Sequence, residues 1–244
     1  MVRVSIDGKI FPKGAILKWE QEHTDKMKRF FDKRVNGGCN VKNADEFADF
    51  KANITESDMR RMLKKLNGVC AAVTSAAVGL SGKRRKISVA EIDLDFCDSE
   101  TVYNMFMDTM MNNTPENIRC NLRANPEHFL LKGADGSTQE VIEISGDIPI
   151  PEQFFIRYGD ENGLVSEKEA EYPFQASGVA FLKSGQKIGG VRHQMKDTPN
   201  GCHIKLMVEF PAIMPNRNIK AHQYHLACEF YNWFTEFERR LENE

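Results

Sequence analysis

Apolar and polar positions alternate at the start of the chain. Val2, Val4 and Ile6 are followed by Asp7-Gly8 and Lys9-Ile10-Phe11, the pattern of a tight hairpin. The period then lengthens. Ile16, Trp19, Met27, Phe30 and Phe31 predict a helix from about Ala15 to Val35, ended by Gly37-Gly38, with a short helix over Ala44 to Phe50. Thr55 and Asp58 form a capping arrangement before Met59, Met62, Leu63, Leu66, Val69 and Val73. That spacing predicts the clearest helix, with Arg60, Arg61, Lys64 and Lys65 on its other face. Ser81-Gly82 and the run Lys83-Arg84-Arg85-Lys86 mark a boundary.

Beyond it the texture changes. Ile87 to Phe96 reads as a strand whose alternation shifts phase near Glu91, as a bulge would cause. Asp98-Ser99 and Thr114-Pro115-Glu116 each open a helix. Six strands are expected next: Phe129–Lys132, Gln139–Ser145, Phe154–Tyr158, Ser177–Leu182, Lys187–Met195 and His203–Phe210. A last helix, Asn218 to Leu241, carries Leu226, Phe230, Trp233, Phe234, Phe237 and Leu241 on one face.

The pattern therefore predicts an α+β protein: a mostly antiparallel sheet wrapped on a long C-terminal helix, with an N-terminal helical extension. Two parts are expected. Residues 1–86 form a basic, mainly helical interaction region with an N-terminal hairpin, and residues 87–244 an acidic α+β domain. The order from Ile87 to Leu241 resembles the helix-grip fold of the START and Bet v1-like proteins. That resemblance implies a cavity between sheet and helix, and hence a small, largely apolar ligand. Residues 1–86 have no counterpart in it.

Charge sharpens the division. Met1–Lys86 holds 19 basic and 10 acidic residues, and the remainder 14 and 25. Such an asymmetry points to an anionic partner for the first part, or to head-to-tail contact between copies in a homo-oligomer. For nucleic acid, the phosphate-contacting candidates are Arg60, Arg61, Lys64, Lys65, Lys83, Arg84, Arg85 and Lys86. No base-reading motif accompanies them, and a solvated basic surface explains them too. The six cysteines form no C-x-x-C pair, and no apolar run is long enough to span a bilayer. These features predict reduced thiols, no membrane partner and a cytoplasmic location.

Phosphate-loop, dinucleotide and serine-hydrolase motifs are absent. The chemistry-bearing candidates are instead His225 and Glu229, four apart on the last helix and thus on one face, where imidazole and carboxylate can share a metal. An ordinary surface pair has the same spacing. His225-Leu226-Ala227-Cys228-Glu229-Phe230 is similar to the helical metal motif of the diacetylphloroglucinol hydrolases, and His128 and Glu143 look like that family's upstream pair. The resemblance implies a divalent metal such as zinc, held by His128, Glu143, His225 and Glu229, and hydrolytic chemistry. Only 15 positions separate His128 from Glu143, and the tryptophans typical around the family's first histidine are missing. The alternative is a non-enzymatic protein that binds nucleic acid or assembles with itself through the basic region.

Overall fold

In the computed structural model, which describes residues 1–243, every strand pairing is antiparallel. The chain begins with the expected hairpin, β1 (Val2–Ile6) and β2 (Lys9–Phe11), then α1 (Lys13–Asp32), α2 (Ala44–Ala52) and α3 (Glu56–Ser81). β3 (Arg85–Leu94) leads to α4 (Ser99–Met111) and α5 (Pro115–Ala124). Six strands follow: β4 (His128–Asp135), β5 (Thr138–Glu143), β6 (Glu152–Tyr158), β7 (Phe174–Phe181), β8 (Lys187–Thr198) and β9 (Gly201–Pro211). The last element is α6 (Asn216–Glu242).

The nine strands form one sheet in the order β2-β1-β3-β9-β8-β7-β6-β5-β4. One face of it packs on α6. Phe230, Phe234 and Phe237 are at most 1% exposed and share one cluster with Ile92, Val141, Ile156, Ala180, Val191 and Leu206, so strands across the sheet contact the same helix. Burying each large side chain contributes about 1.5–3 kcal/mol. The N-terminal hairpin extends this sheet by pairing with β3.

A second core lies on the outer face of β4 and β5. Met27, Phe31, Phe47, Met59 and Leu63 from α1, α2 and α3 pack against Phe129, Leu130 and Ile142. These two strands are therefore covered on both faces, which accounts for their nearly unbroken run of buried positions.

One local expectation is corrected. No bulge occurs near Glu91, because β3 pairs with β9 in continuous register from Arg85↔Pro211 to Leu94↔Cys202. The buried positions are Ser88, Ala90, Ile92 and Leu94. Ser88 breaks the apolar alternation, yet it is fully buried and hydrogen-bonded to His222. The polar residue imitated a phase shift. Gly189 has a packing reason: a Cβ there would stand 2.0 Å from the Glu209 carbonyl oxygen of β9.

Candidate metal centre

The four residues named as metal ligands converge although they come from three elements. His128 opens β4, Glu143 ends β5, and the hairpin register sets them directly opposite each other. Their 15-residue separation is thus the span of one hairpin. His225 and Glu229 project from α6 into the same space. One potential ligand atom from each of the four lies within 4.8 Å of the others, and all four residues are buried.

The contacts are close. His128 Nε2 is 3.0 Å from Glu229 Oε2 and 3.6 Å from Glu143 Oε2. His225 Nε2 is 3.5 Å from the same Glu229 oxygen and has no hydrogen-bond partner. Four ligands placed tetrahedrally about 2.0–2.2 Å from one zinc ion stand about 3.3–3.6 Å apart. The observed spacings bracket that range.

The outer nitrogens fix the ring orientations. His128 Nδ1 is 2.7 Å from the backbone oxygen of Asn121, and His225 Nδ1 is 3.3 Å from Glu127 Oε2. Carbonyl and carboxylate oxygens accept, so each Nδ1 donates. Each Nε2 is then left facing carboxylate oxygens, a repulsive arrangement unless a cation or proton lies between. Metal-bound histidines are oriented in this way. Glu127 is 1% exposed and is itself tied by His23 Nδ1 at 2.9 Å and Lys26 Nζ at 3.2 Å. Ser145 donates to Glu143.

The titration behaviour follows from this crowding. Burial pushes the Glu143 carboxyl up, opposed by His225 and His128 and reinforced by Glu229. For Glu229, burial also acts upward, but the charge of His225 and the hydrogen bond to His128 hold it well below the carboxylate range. Burial acts downward on His225, and Glu229 and Glu127 outweigh it. Two imidazoles and two carboxylates suit zinc in type and number.

Beside the centre lies a cavity of about 510 Å³ between α6, the sheet and one face of α3. Glu143 and Glu229 border it, so the carboxylate side of the centre is the side open to this space. The walls are chiefly apolar, among them Leu131, Val141, Ile156, Phe230 and Trp233. Polar groups are few. His193 is edge-on to Phe230, its Nδ1 has no partner, and burial lowers its pKa to about 4. His222 bonds Ser88 Oγ, and burial and neighbouring His225 bring it to about 3. Tyr158 donates its hydroxyl to Gln139 Oε1 at 3.1 Å. Cys70, Val73, Thr74 and Ala77 of α3 complete the lining, so the first 86 residues supply part of the wall.

The eight basic candidates are not gathered. Arg60 binds Glu140 at 2.7 Å and Glu56 at 2.9 Å, and Arg61 pairs with Asp58. Lys86 Nζ donates to the Met214 carbonyl and Asn216 Oδ1, both at 2.7 Å, and half-buried Arg85 donates to Gly82 O. Lys64, Lys65, Lys83 and Arg84 are exposed, but roughly 26 Å of helix axis separates Lys64 from the end of α3.

Sequence reasoning missed Glu127 and the Asn121 carbonyl, which orient the two imidazoles, His23, which ties Glu127, and His193 and Tyr158 in the cavity. Only Glu127 had a local signal, as the neighbour of His128.

No family model matches the chain, and no curated protein matches it. Among solved structures, one described as "Crystal structure of Ara h 8.0201" covers 66% of this chain and 100% of its own, at a TM-score of 0.39 and 10% sequence identity. No helix among the described residues is long and apolar enough to cross a membrane.

Proposed function

We propose that the chain is a zinc-dependent hydrolase acting on a small, largely apolar molecule held between the sheet and α6. One observation carries the reading: two imidazole nitrogens and two carboxylates meet at the wall of an apolar cavity, with each imidazole oriented by an acceptor on its other nitrogen. His128, Glu143, His225 and Glu229 would hold the ion. A zinc ion bound there would supply Lewis acidity and lower the pKa of water.

The rest belongs to the chain. A cavity of about 510 Å³ is of the size that encloses small-molecule ligands. Its apolar walls favour apolar substrate and limit water to the carboxylate end. His193, His222 and the Tyr158–Gln139 pair offer the few polar contacts that would fix the orientation of an oxygen-bearing group. The similarity of the His225–Phe230 segment to the diacetylphloroglucinol hydrolases points to the same reaction type.

Elemental analysis of purified protein, loaded with zinc and then desalted, tests this. One zinc per chain is expected, with loss of that zinc in both His225→Ala and Glu229→Ala. A wild-type protein that retains no zinc would overturn the reading.

A further inference from the structure

Lys51 is the charged side chain hardest to explain as packing. It lies on α2, is 1% exposed, and its Nζ faces four backbone oxygens: Leu122 at 2.8 Å, His128 at 2.9 Å, Asn125 at 3.1 Å and Pro126 at 3.3 Å. Lysine is rarely buried without such partners, because desolvation of the ammonium is costly. A methionine would fill the same volume without that cost, so the placement of the nitrogen has a consequence of its own.

The four oxygens run from the last turn of α5 (Leu122) through the connection (Asn125, Pro126) to the first residue of β4 (His128). The last carbonyls of α5 have no intrahelical donor, and a cation at a helix C-terminus is favoured by its dipole. The end of α5 and the same connection carry the groups that orient the proposed metal ligands. Asn121 accepts from His128 Nδ1, and Glu127 accepts from His225 Nδ1. Asn125 ties the turn inward: its Oδ1 accepts from the Glu127 N–H at 2.9 Å, and its Nδ2 donates to the His225 carbonyl at 3.4 Å.

We propose that Lys51 is a positioning residue for the metal centre, its Nζ locking the backbone from Leu122 to His128 so that the His128 ring and the Glu127 carboxylate are held in ligand-orienting geometry. The inference rests on the zinc reading above. It gives α2, which contributes no ligand, a direct hold on the site.

Zinc affinity, measured by competition with a chromophoric chelator, reads this out, and the visible absorption of the Co2+-substituted protein reports the coordination geometry. Lys51→Met is expected to keep the wild-type circular dichroism spectrum, to bind zinc about 10–100-fold more weakly, as loss of an outer-shell partner does, and to shift the Co2+ bands. In Lys51→Ala, n-propylammonium, which replaces the deleted atoms, is expected to restore affinity, whereas tetramethylammonium is not. If Lys51→Met fails to fold, Lys51→Arg takes its place under the same criterion, since a guanidinium keeps the charge but cannot present one nitrogen to four oxygens. A folded variant with wild-type zinc affinity and an unchanged Co2+ spectrum overturns this inference alone. A wild-type protein that binds no zinc overturns the metal reading as well.

Discussion

Glu127 illustrates how far single residues could be read in advance. Spacing of four made His225 and Glu229 candidates, since a helix sets such pairs side by side. His128 and Glu143 were reachable only through the family resemblance, because hairpin register is a property of two strands together. Glu127, Asn121 and Lys51 act across sequence separations of 98, 7 and 71 to 77 residues. Nothing along the chain signals which backbone oxygen or imidazole such a residue will meet. The roles assigned to these side chains nevertheless differ measurably. Glu127→Gln preserves the shape of the buried carboxylate while removing its charge beside His225, His23 and Lys26. Zinc affinity is expected to fall about 10–100-fold, with stoichiometry still one per chain at saturation. An unchanged dissociation constant would show that Glu127 serves only the His23 and Lys26 contacts.

At the scale of elements, periodicity, together with capping and turn residues, predicted all fifteen among the described residues, with ends displaced by a few residues. Strands whose inner and outer faces differ, such as β9, were clear. The exception in β3 arose where a buried serine satisfied its hydroxyl on His222. What periodicity could not show was the partner of each apolar face. The stripe of α3 that begins at Met59 continues into Cys70, Thr74 and Ala77, so one helix packs a core at its start and lines the cavity further on. This division makes the lining separable from the metal ligands. Ala77→Phe adds a ring on the cavity side and is expected to weaken binding of an apolar fluorescent probe at least about tenfold while zinc content stays at the wild-type level. Equal probe affinity in variant and parent would place the probe elsewhere. On α6, Phe234 is 0% exposed, and Phe234→Ala is expected to cost about 3–5 kcal/mol in a denaturant titration, by lost burial plus the cavity left behind. A loss below about 1 kcal/mol would contradict the assignment of α6 as the centre of the sheet's core.

The molecule as a whole is tied together by charge and by the proposed metal. Ion pairs join the basic first part to the acidic remainder in both senses: Arg60 with Glu140 and Lys26 with Glu127, and, with signs reversed, Glu56 with Lys132 and Glu20 with Arg123, so they link the two parts without cancelling the contrast between them. Composition registers such an imbalance but not where the opposite charges face each other. The proposed metal centre has the longer reach. It joins β4, at one end of the sheet order, and β5 to α6, with ligands 101 residues apart in His128 and Glu229. Without an ion, two buried carboxylates and two imidazoles must balance one another through protons, and burial already drives Glu143 toward its neutral form, with Glu229 adding to the effect. An ion that binds only the folded state stabilises it by about 4 kcal/mol at a free concentration about 1,000 times its dissociation constant. For a chain of this length that corresponds to a rise in Tm of roughly 8–16 °C. Differential scanning calorimetry is therefore expected to show a higher Tm with micromolar zinc than after dialysis against a strong chelator, with zinc restoring the loss. His225→Ala should melt at one temperature under both conditions. Chelator-treated and zinc-loaded wild-type protein melting together would mean that no ion bridges hairpin and helix.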